Sequence, residues 1–245
     1  MINSFNSSLR PKIFFFHGMN NNDRSFSPLM EHFKEKGYET ELITLPGHGN
    51  DRNEMNNLED AIELFDKKMK RIGKNPYYAI AFSQGALYLQ LWLNKNPDNK
   101  PLKQVLLAPA FFLKRQEITI KLFRLLPSFF LIKSFAPKAF RRYQFLKVSE
   151  YNLLMEGIVQ YQNINQAFPV STMIMIDPKD ELVDAPGLKK NAQMNNKKFL
   201  FYFFERPYLN KGIGQHHILF HPDYFDEQGW IKLTTFIENY LTEHF

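Results

Sequence analysis

One serine in this chain stands where a side chain can be made nucleophilic. The apolar run Tyr77–Phe82 leads into Ala81-Phe82-Ser83-Gln84-Gly85, and a helical pattern, Ala86–Leu93, follows at once. A serine on a strand-to-helix turn this tight needs tiny neighbours two before and two after it, and here they are Ala81 and Gly85. Such a turn lifts the hydroxyl above the sheet edge. It also sets the hydroxyl at the N-terminal end of a helix, whose backbone amides favour developing negative charge. The chemistry expected is attack on an electrophilic carbon, which calls for a base to take the hydroxyl proton and an acid to orient that base. Glycine is usual in the first of the two small places, so Ala81 is a departure of one methyl group.

Other motifs fall at the ends of apolar runs. Phe14-Phe15-Phe16-His17-Gly18-Met19 leaves a strand through His-Gly, where a loop can bring a backbone N–H toward Ser83. Leu45-Pro46-Gly47-His48-Gly49 is a second glycine-punctuated exit. Met173-Ile174-Met175-Ile176 runs into Asp177-Pro178-Lys179-Asp180-Glu181-Leu182-Val183-Asp184, a string of carboxylates after an apolar strand. Three histidines lie close together in Gln215-His216-His217-Ile218-Leu219-Phe220-His221. The run lacks the His-Glu-x-x-His pattern of a zinc site, so neither a metal nor an organic cofactor is expected.

Positioning these groups requires a sheet. The candidate strands are Ile13–Phe16, Glu41–Leu45, Tyr77–Phe82, Gln104–Leu107, Thr172–Ile176 and Phe199–Phe204, and most are almost continuously apolar. Strands covered on both faces read this way, and their alternation with helical patterns indicates a parallel sheet with crossover helices. Leu58–Ile72 sets Ala61, Ile62, Phe65 and Met69 on one helical stripe, and Trp230–Phe245 closes the chain as an amphipathic helix. The alternation breaks between Pro109 and Ser171, where the chain reads as helices and turns punctuated by Pro127 and Pro137.

Composition agrees with a globular body. Charged residues make up 23% of the 245 and hydrophobic ones 44%, enough for one sizeable core. The 25 phenylalanines predict aromatic surface beyond that core. Cysteine is absent, which excludes disulfides, a cysteine nucleophile and thiolate metal sites. It also suits a reducing compartment, so a cytoplasmic location is expected. Met1–Arg10 is polar, unlike a secretory signal, and the greasiest run, Leu125–Phe135, is too short and interrupted to span a bilayer. The charge is uneven. Nine Lys or Arg residues lie between Ala110 and Lys147 against the single acid Glu117, in a chain whose net charge is +6.

With its His-Gly after the first strand, Leu-Pro-Gly-His-Gly after the second and the Ser83 turn, the chain resembles the α/β-hydrolase superfamily. Within it, the likeness is to the carboxylesterase, monoacylglycerol lipase and lysophospholipase branch. The resemblance covers nearly the whole chain and is weakest in the insert. It implies an α/β-hydrolase fold, a mostly parallel sheet of about six strands flanked by helices. It further implies one domain over residues 1–245, with a helical lid at about 110–168, and without the two leading strands of larger members.

The resemblance also implies roles. Ser83 is the nucleophile, and the backbone N–H groups of Met19 and Gln84 form the oxyanion hole. Relatives commonly show Gly-x-x-Asp-x-x-Val after the strand that follows the lid. Asp180 with Val183 matches that spacing, while Asp177 takes the glycine position and stays an alternative acid. The family's histidine is followed by any residue and two apolar ones. His216 satisfies this through His217, Ile218 and Leu219 and is the favoured base; His217 needs a shift of one, and His221 comes later beside Pro222.

The function this implies is hydrolysis of carboxylic esters, lipid-like ones of medium or long acyl chain, such as a monoacylglycerol or lysophospholipid. Thioester or amide cleavage on the same triad, or a non-catalytic protein binding a small lipid, are the alternatives. Ile118, Leu122 and Leu125 share one helical face while Lys114, Lys121 and Arg124 share another. A basic amphipathic lid of this kind suits an anionic membrane surface. No nucleic-acid reader motif accompanies the charge.

Overall fold

A computed structural model describes residues 10–52, 55–73, 75–164, 168–195, 199–206 and 215–243. The N-terminus before residue 10, residues 165–167 of the expected insert and the chain end at 244–245 lie outside the described residues. In chain order the strands are β1 (Lys12–Phe16), β2 (Thr40–Ile43), β3 (Tyr77–Phe82), β4 (Lys103–Leu107), β5 (Leu131–Lys133), β6 (Phe145–Lys147), β7 (Ser171–Ile176) and β8 (Phe199–Phe203). The helices are α1 (Ser27–Glu35), α2 (Leu58–Met69), α3 (Gln84–Lys95), α4 (Gln116–Leu125), α5 (Val148–Asn163), α6 (Ala185–Asn195) and α7 (Glu227–Thr242).

Six of the strands make one parallel sheet in the order β2-β1-β3-β4-β7-β8, the mostly parallel α/β-hydrolase arrangement expected from the sequence. The chain steps outward from β1 to β2 and then returns across β1 to β3, so the strand order reverses there. In open α/β sheets, such a reversal opens a crevice at the carboxyl ends of the strands, here between the ends of β1 and β3. His17 follows β1 and Ser83 follows β3. The central strands are buried along their length, which is why they carry no alternation: Phe14–Phe16, Ala79–Phe82, Val105–Leu107 and Met173–Ile176 all lie in the core. Much of the phenylalanine is spent there, with Phe15 against Phe26 and Phe33, and Phe220 stacked on Phe26 at 4.8 Å.

Of the boundaries that differ from expectation, two have visible reasons. β2 stops at Ile43 because its partner β1 stops at Phe16, and the N–H of Leu45 is taken instead by the His17 ring. The last helix begins at Glu227, before Trp230, because Asp226 caps it by accepting from Gly229 N–H.

Between β4 and β7 the expected helices and turns also hold a short antiparallel pair, β5 with β6. In this stretch α5 packs in one layer with α2 and α3. Phe123, Leu146, Val148 and Tyr151 form a small cluster of their own. The apolar face of α4 points outward, leaving Ile118, Leu122 and Leu125 66%, 56% and 82% exposed.

One packing contact fixes the turn after β3. A side-chain carbon at Gly85 would lie 2.4 Å from the His17 carbonyl oxygen and 2.7 Å from that of Phe16, both backbone atoms that cannot swing aside. Gly85→Ala is therefore expected to lower the unfolding free energy by about 2–4 kcal/mol, measured by urea denaturation. A loss below about 0.5 kcal/mol would show that the turn has room to spare.

Candidate active site

Ser83 joins β3 to α3 with φ of 50° and ψ of −117°, a conformation L-residues rarely hold. Its surroundings keep it there. The Ser83 N–H donates to the Leu107 carbonyl at 3.1 Å, and its own carbonyl accepts from Ala110 at 3.2 Å and Leu87 at 3.3 Å. Serine in the N-cap position ordinarily spends its hydroxyl on the first turn of the helix. Here the hydroxyl makes no capping bond and faces a histidine instead.

That histidine is His217. Its Nε2 lies 3.2 Å from Ser83 Oγ, and its Nδ1 lies 2.8 Å from Asp180 Oδ2. Asp180 is wholly buried, and its other oxygen accepts from the N–H groups of Leu182 and Val183, each at 2.8 Å. Burial alone would raise this carboxyl. The charge and hydrogen bond of His217, with the two backbone donors, outweigh burial and hold it below the ordinary carboxylate range. With Nδ1–H directed at the carboxylate, His217 Nε2 is left to accept the serine proton.

The expectation that His216 faces Ser83 is corrected. His216 Nδ1 lies 2.8 Å from Asp177 Oδ2, and Asp177, the alternative acid, bonds Arg206 Nε at 3.2 Å. Two histidines in succession thus address two different carboxylates. Their backbone N–H groups both donate to Glu181, at 3.1 Å, so the turn is fixed while its side chains diverge. Arg206 completes the arrangement. Its guanidinium, 2% exposed, donates to the carbonyls of Gln215, Ile218 and Tyr224 as well as to Asp177.

Arg206 and Glu181 were not singled out in the sequence. Two signals pointed to Arg206: an arginine stands just past the apolar run of β8, and a second carboxylate stands at Asp177 where relatives have glycine. A buried carboxylate calls for a cation.

Of the two expected oxyanion donors, Gln84 follows the serine directly and Met19 lies across the sheet end. Gln84 opens α3, so its N–H has no partner within the helix. Met19 lies on the loop after β1 and lines the same cavity as Ser83 and His217. That loop hangs on two histidines. His17 Nε2 accepts from Leu45 N–H at 3.0 Å, and His48 Nε2 accepts from Asn20 N–H at 2.6 Å. Each ring's Nδ1 faces a carbonyl, of Gly18 and of Pro46 respectively, and the two rings are 4.7 Å apart. Both must be neutral to accept. Burial drives both down, His17 well below its ordinary value and His48 to about 4.

Above the serine lies a cavity of about 390 Å³. Its walls are mostly apolar, and Leu122, Phe123, Phe135, Phe140 and Tyr151 come to it from the segment between β4 and β7. A wider groove of about 1130 Å³ opens near the opposite end of the sheet, beside Tyr77, Asn99 and Tyr240, far from the serine and histidine. Among the described residues, no three His, Asp or Glu side chains converge as a metal site would require. Nor is any helix there long and apolar enough to cross a membrane.

Residues 7–176 match the family described as serine aminopeptidase, S33. The fold is similar to that of a monoacylglycerol lipase from Paleococcus ferrophilus, at 13% identity and a TM-score of 0.75 over 96% of this chain and 95% of that one. A soluble variant of monoglyceride lipase from Saccharomyces cerevisiae aligns at 14% identity and a TM-score of 0.71, over 98% and 89%. A carboxylesterase from Bacillus subtilis aligns at 11% identity and a TM-score of 0.60, over 96% and 85%. No curated protein matches the chain in sequence.

The buried histidines set a pH dependence. Between its unfolded value of 6.5 and its folded value of about 4, His48 is protonated in the unfolded chain and neutral in the folded one. Its contribution is therefore complete above pH 6.5 and is lost as pH falls toward 4. Over that window wild type is expected to lose about 3 kcal/mol more stability than His48→Gln, read by urea denaturation at each pH. Parallel profiles would remove His48 from the account.

Proposed function

Because this chain belongs to the serine aminopeptidase, S33, family, a family of hydrolases whose fold esterases and lipases share, we propose that it hydrolyses lipid-like carboxylic esters through Ser83, His217 and Asp180. The observation that carries this reading is the contact of His217 Nε2 with Ser83 Oγ at 3.2 Å, backed by Asp180, on the wall of an apolar cavity.

His217 takes the Ser83 proton as Oγ attacks the ester carbonyl, and Asp180 holds the imidazole in the accepting tautomer and stabilises its charged form. The oxyanion of the tetrahedral intermediate is received by the N–H groups of Met19 and Gln84. Collapse expels the alcohol, which leaves with the proton held by His217, and an acyl-Ser83 ester remains. Water, deprotonated by the same histidine, attacks that ester, and the acid departs as Ser83 regains its proton. His216, paired with Asp177, is a neighbour of this machinery and holds the loop.

The substrate class rests on the segment between β4 and β7, read as a lid. Leu122 and Phe135 belong at once to the cavity wall and to the outer surface, where they are 56% and 57% exposed. Ile118, Leu125, Phe129 and Phe130 extend that greasy surface, and the same stretch of sequence carries the nine basic residues. A medium or long acyl chain passing from an anionic lipid surface into the cavity fits this continuity. A monoacylglycerol or lysophospholipid has the required shape.

Ser83→Ala and His217→Ala are each expected to lower kcat/KM on p-nitrophenyl esters by about 10³-fold or more, with His216→Ala costing far less. Wild type should prefer an octanoyl to an acetyl ester. An inactive His216→Ala beside an active His217→Ala would reverse the base. Absence of both turnover and fluorophosphonate labelling in wild type would leave the cavity as a binding site. For the membrane contact, vesicle binding is expected to rise with phosphatidylserine and fall with salt; indifference to both would exclude it.

A further inference from the structure

The loop after β1 is tied to the segment between β4 and β7 more closely than the triad requires. Asn20 is the centre of that tie. It is 1% exposed and has φ of 57°, a left-handed conformation that asparagine takes more readily than most residues. Each of its polar groups is engaged. The N–H donates to His48 Nε2 at 2.6 Å, and the backbone carbonyl accepts from Arg142 N–H at 2.8 Å. Its Nδ2 donates to Ser134 Oγ at 2.6 Å and to the Tyr143 carbonyl at 2.7 Å, while Oδ1 accepts from Tyr143 N–H at 2.9 Å.

The tie continues along the chain. Asn21 bridges to Arg141, and Asn22 donates from its N–H to the Phe140 carbonyl and from Nδ2 to that of Ala139, at 2.6 and 2.9 Å. Three successive asparagines are thus laced to residues 139–143. The far side of the same segment is pinned by Arg52, which donates to the Glu150 carboxylate and the Phe145 carbonyl and lies 3.8 Å over the Tyr143 ring.

Met19 directly precedes Asn20. We propose that Asn20 is the positioning residue of the oxyanion loop: it sets the Met19 N–H in place only while the segment carrying Ser134 and Tyr143 is docked. This rests on the reading of Met19 N–H as an oxyanion donor. The docked segment thereby completes the catalytic site as well as covering it. A donor displaced by a fraction of an ångström loses much of its worth in the transition state while ground-state binding changes little.

Asn20→Gly keeps the left-handed backbone accessible and removes only the side-chain ties. With active sites counted by fluorophosphonate labelling, kcat on a p-nitrophenyl acetate assay is expected to fall about 10–100-fold with KM within about threefold. Affinity for a trifluoromethyl ketone, which forms a tetrahedral adduct on the serine, should fall in parallel. A merely structural role would lower the melting temperature and leave both quantities, per active site, unchanged. Ser134→Ala, which removes one tie from the other side, should move both the same way by about three- to tenfold, and should add nothing in the Asn20→Gly background.

Values within threefold of wild type for folded Asn20→Gly overturn the proposal. Where that variant does not fold, unchanged values for Ser134→Ala overturn it. Turnover in wild type that is lost in Ser83→Ala upholds the underlying reading whatever Asn20 shows. A wild type without turnover or labelling overturns both.

Discussion

Everything at the sheet end depends on how closely α3 approaches the end of β1. The first turn of that helix passes against the carbonyls of Phe16 and His17 with only the hydrogen of Gly85 between them. This approach aims the N-terminus of α3 at the crevice where the strand order reverses, and it holds Ser83 in a backbone conformation that its own energetics disfavour. The strain is maintained by neighbours: β4 takes the serine N–H, and the residues beyond β4 take its carbonyl. The hydroxyl is thereby denied its ordinary capping role and presented to the cavity.

Around this turn, charge is buried in two matched units. Asp180 serves His217, and Asp177, neutralised by Arg206, serves His216. A lone buried carboxylate is costly, and removing one partner from such a group leaves the other stranded. The second unit therefore acts on the first through geometry. Arg206 gathers three carbonyls of the segment that bears His217, and Glu181 gathers the N–H groups of both histidines. The imidazole that meets Ser83 is held at its backbone as well as at its ring.

The six strands of the main sheet and the serine turn were legible because local rules dictate them. Unbroken apolar runs mean strands covered on both faces, and small-x-Ser-x-Gly between strand and helix means a close crossing. The choice between His216 and His217 was not legible from spacing. Adjacent side chains in a turn point different ways, and which one meets the serine depends on Asp177, Glu181 and Arg206, which lie outside the histidine motif. Asp177 was the available clue, since it occupies a glycine position and needs a cation. The pairing of β5 with β6 was hidden for another reason. Each strand is three residues long and half-exposed, so neither carries the apolar run that marks a buried strand.

Phe82, the residue before the serine, has a further consequence. Its ring occupies the space a side chain at Gly18 would need, lies 4.8 Å from the His217 ring and packs on Phe220 at 4.7 Å. One aromatic plate therefore separates the loop after β1 from the histidine loop and sets the distance between them. Any exchange at position 82 shifts both loops together, so neither can be retuned there alone. The walls contributed by Leu122 and Phe135 carry no such double duty. Reshaping the cavity at Leu122 or Phe135 is thus a separate matter from setting the gap between the two loops, which falls to Phe82.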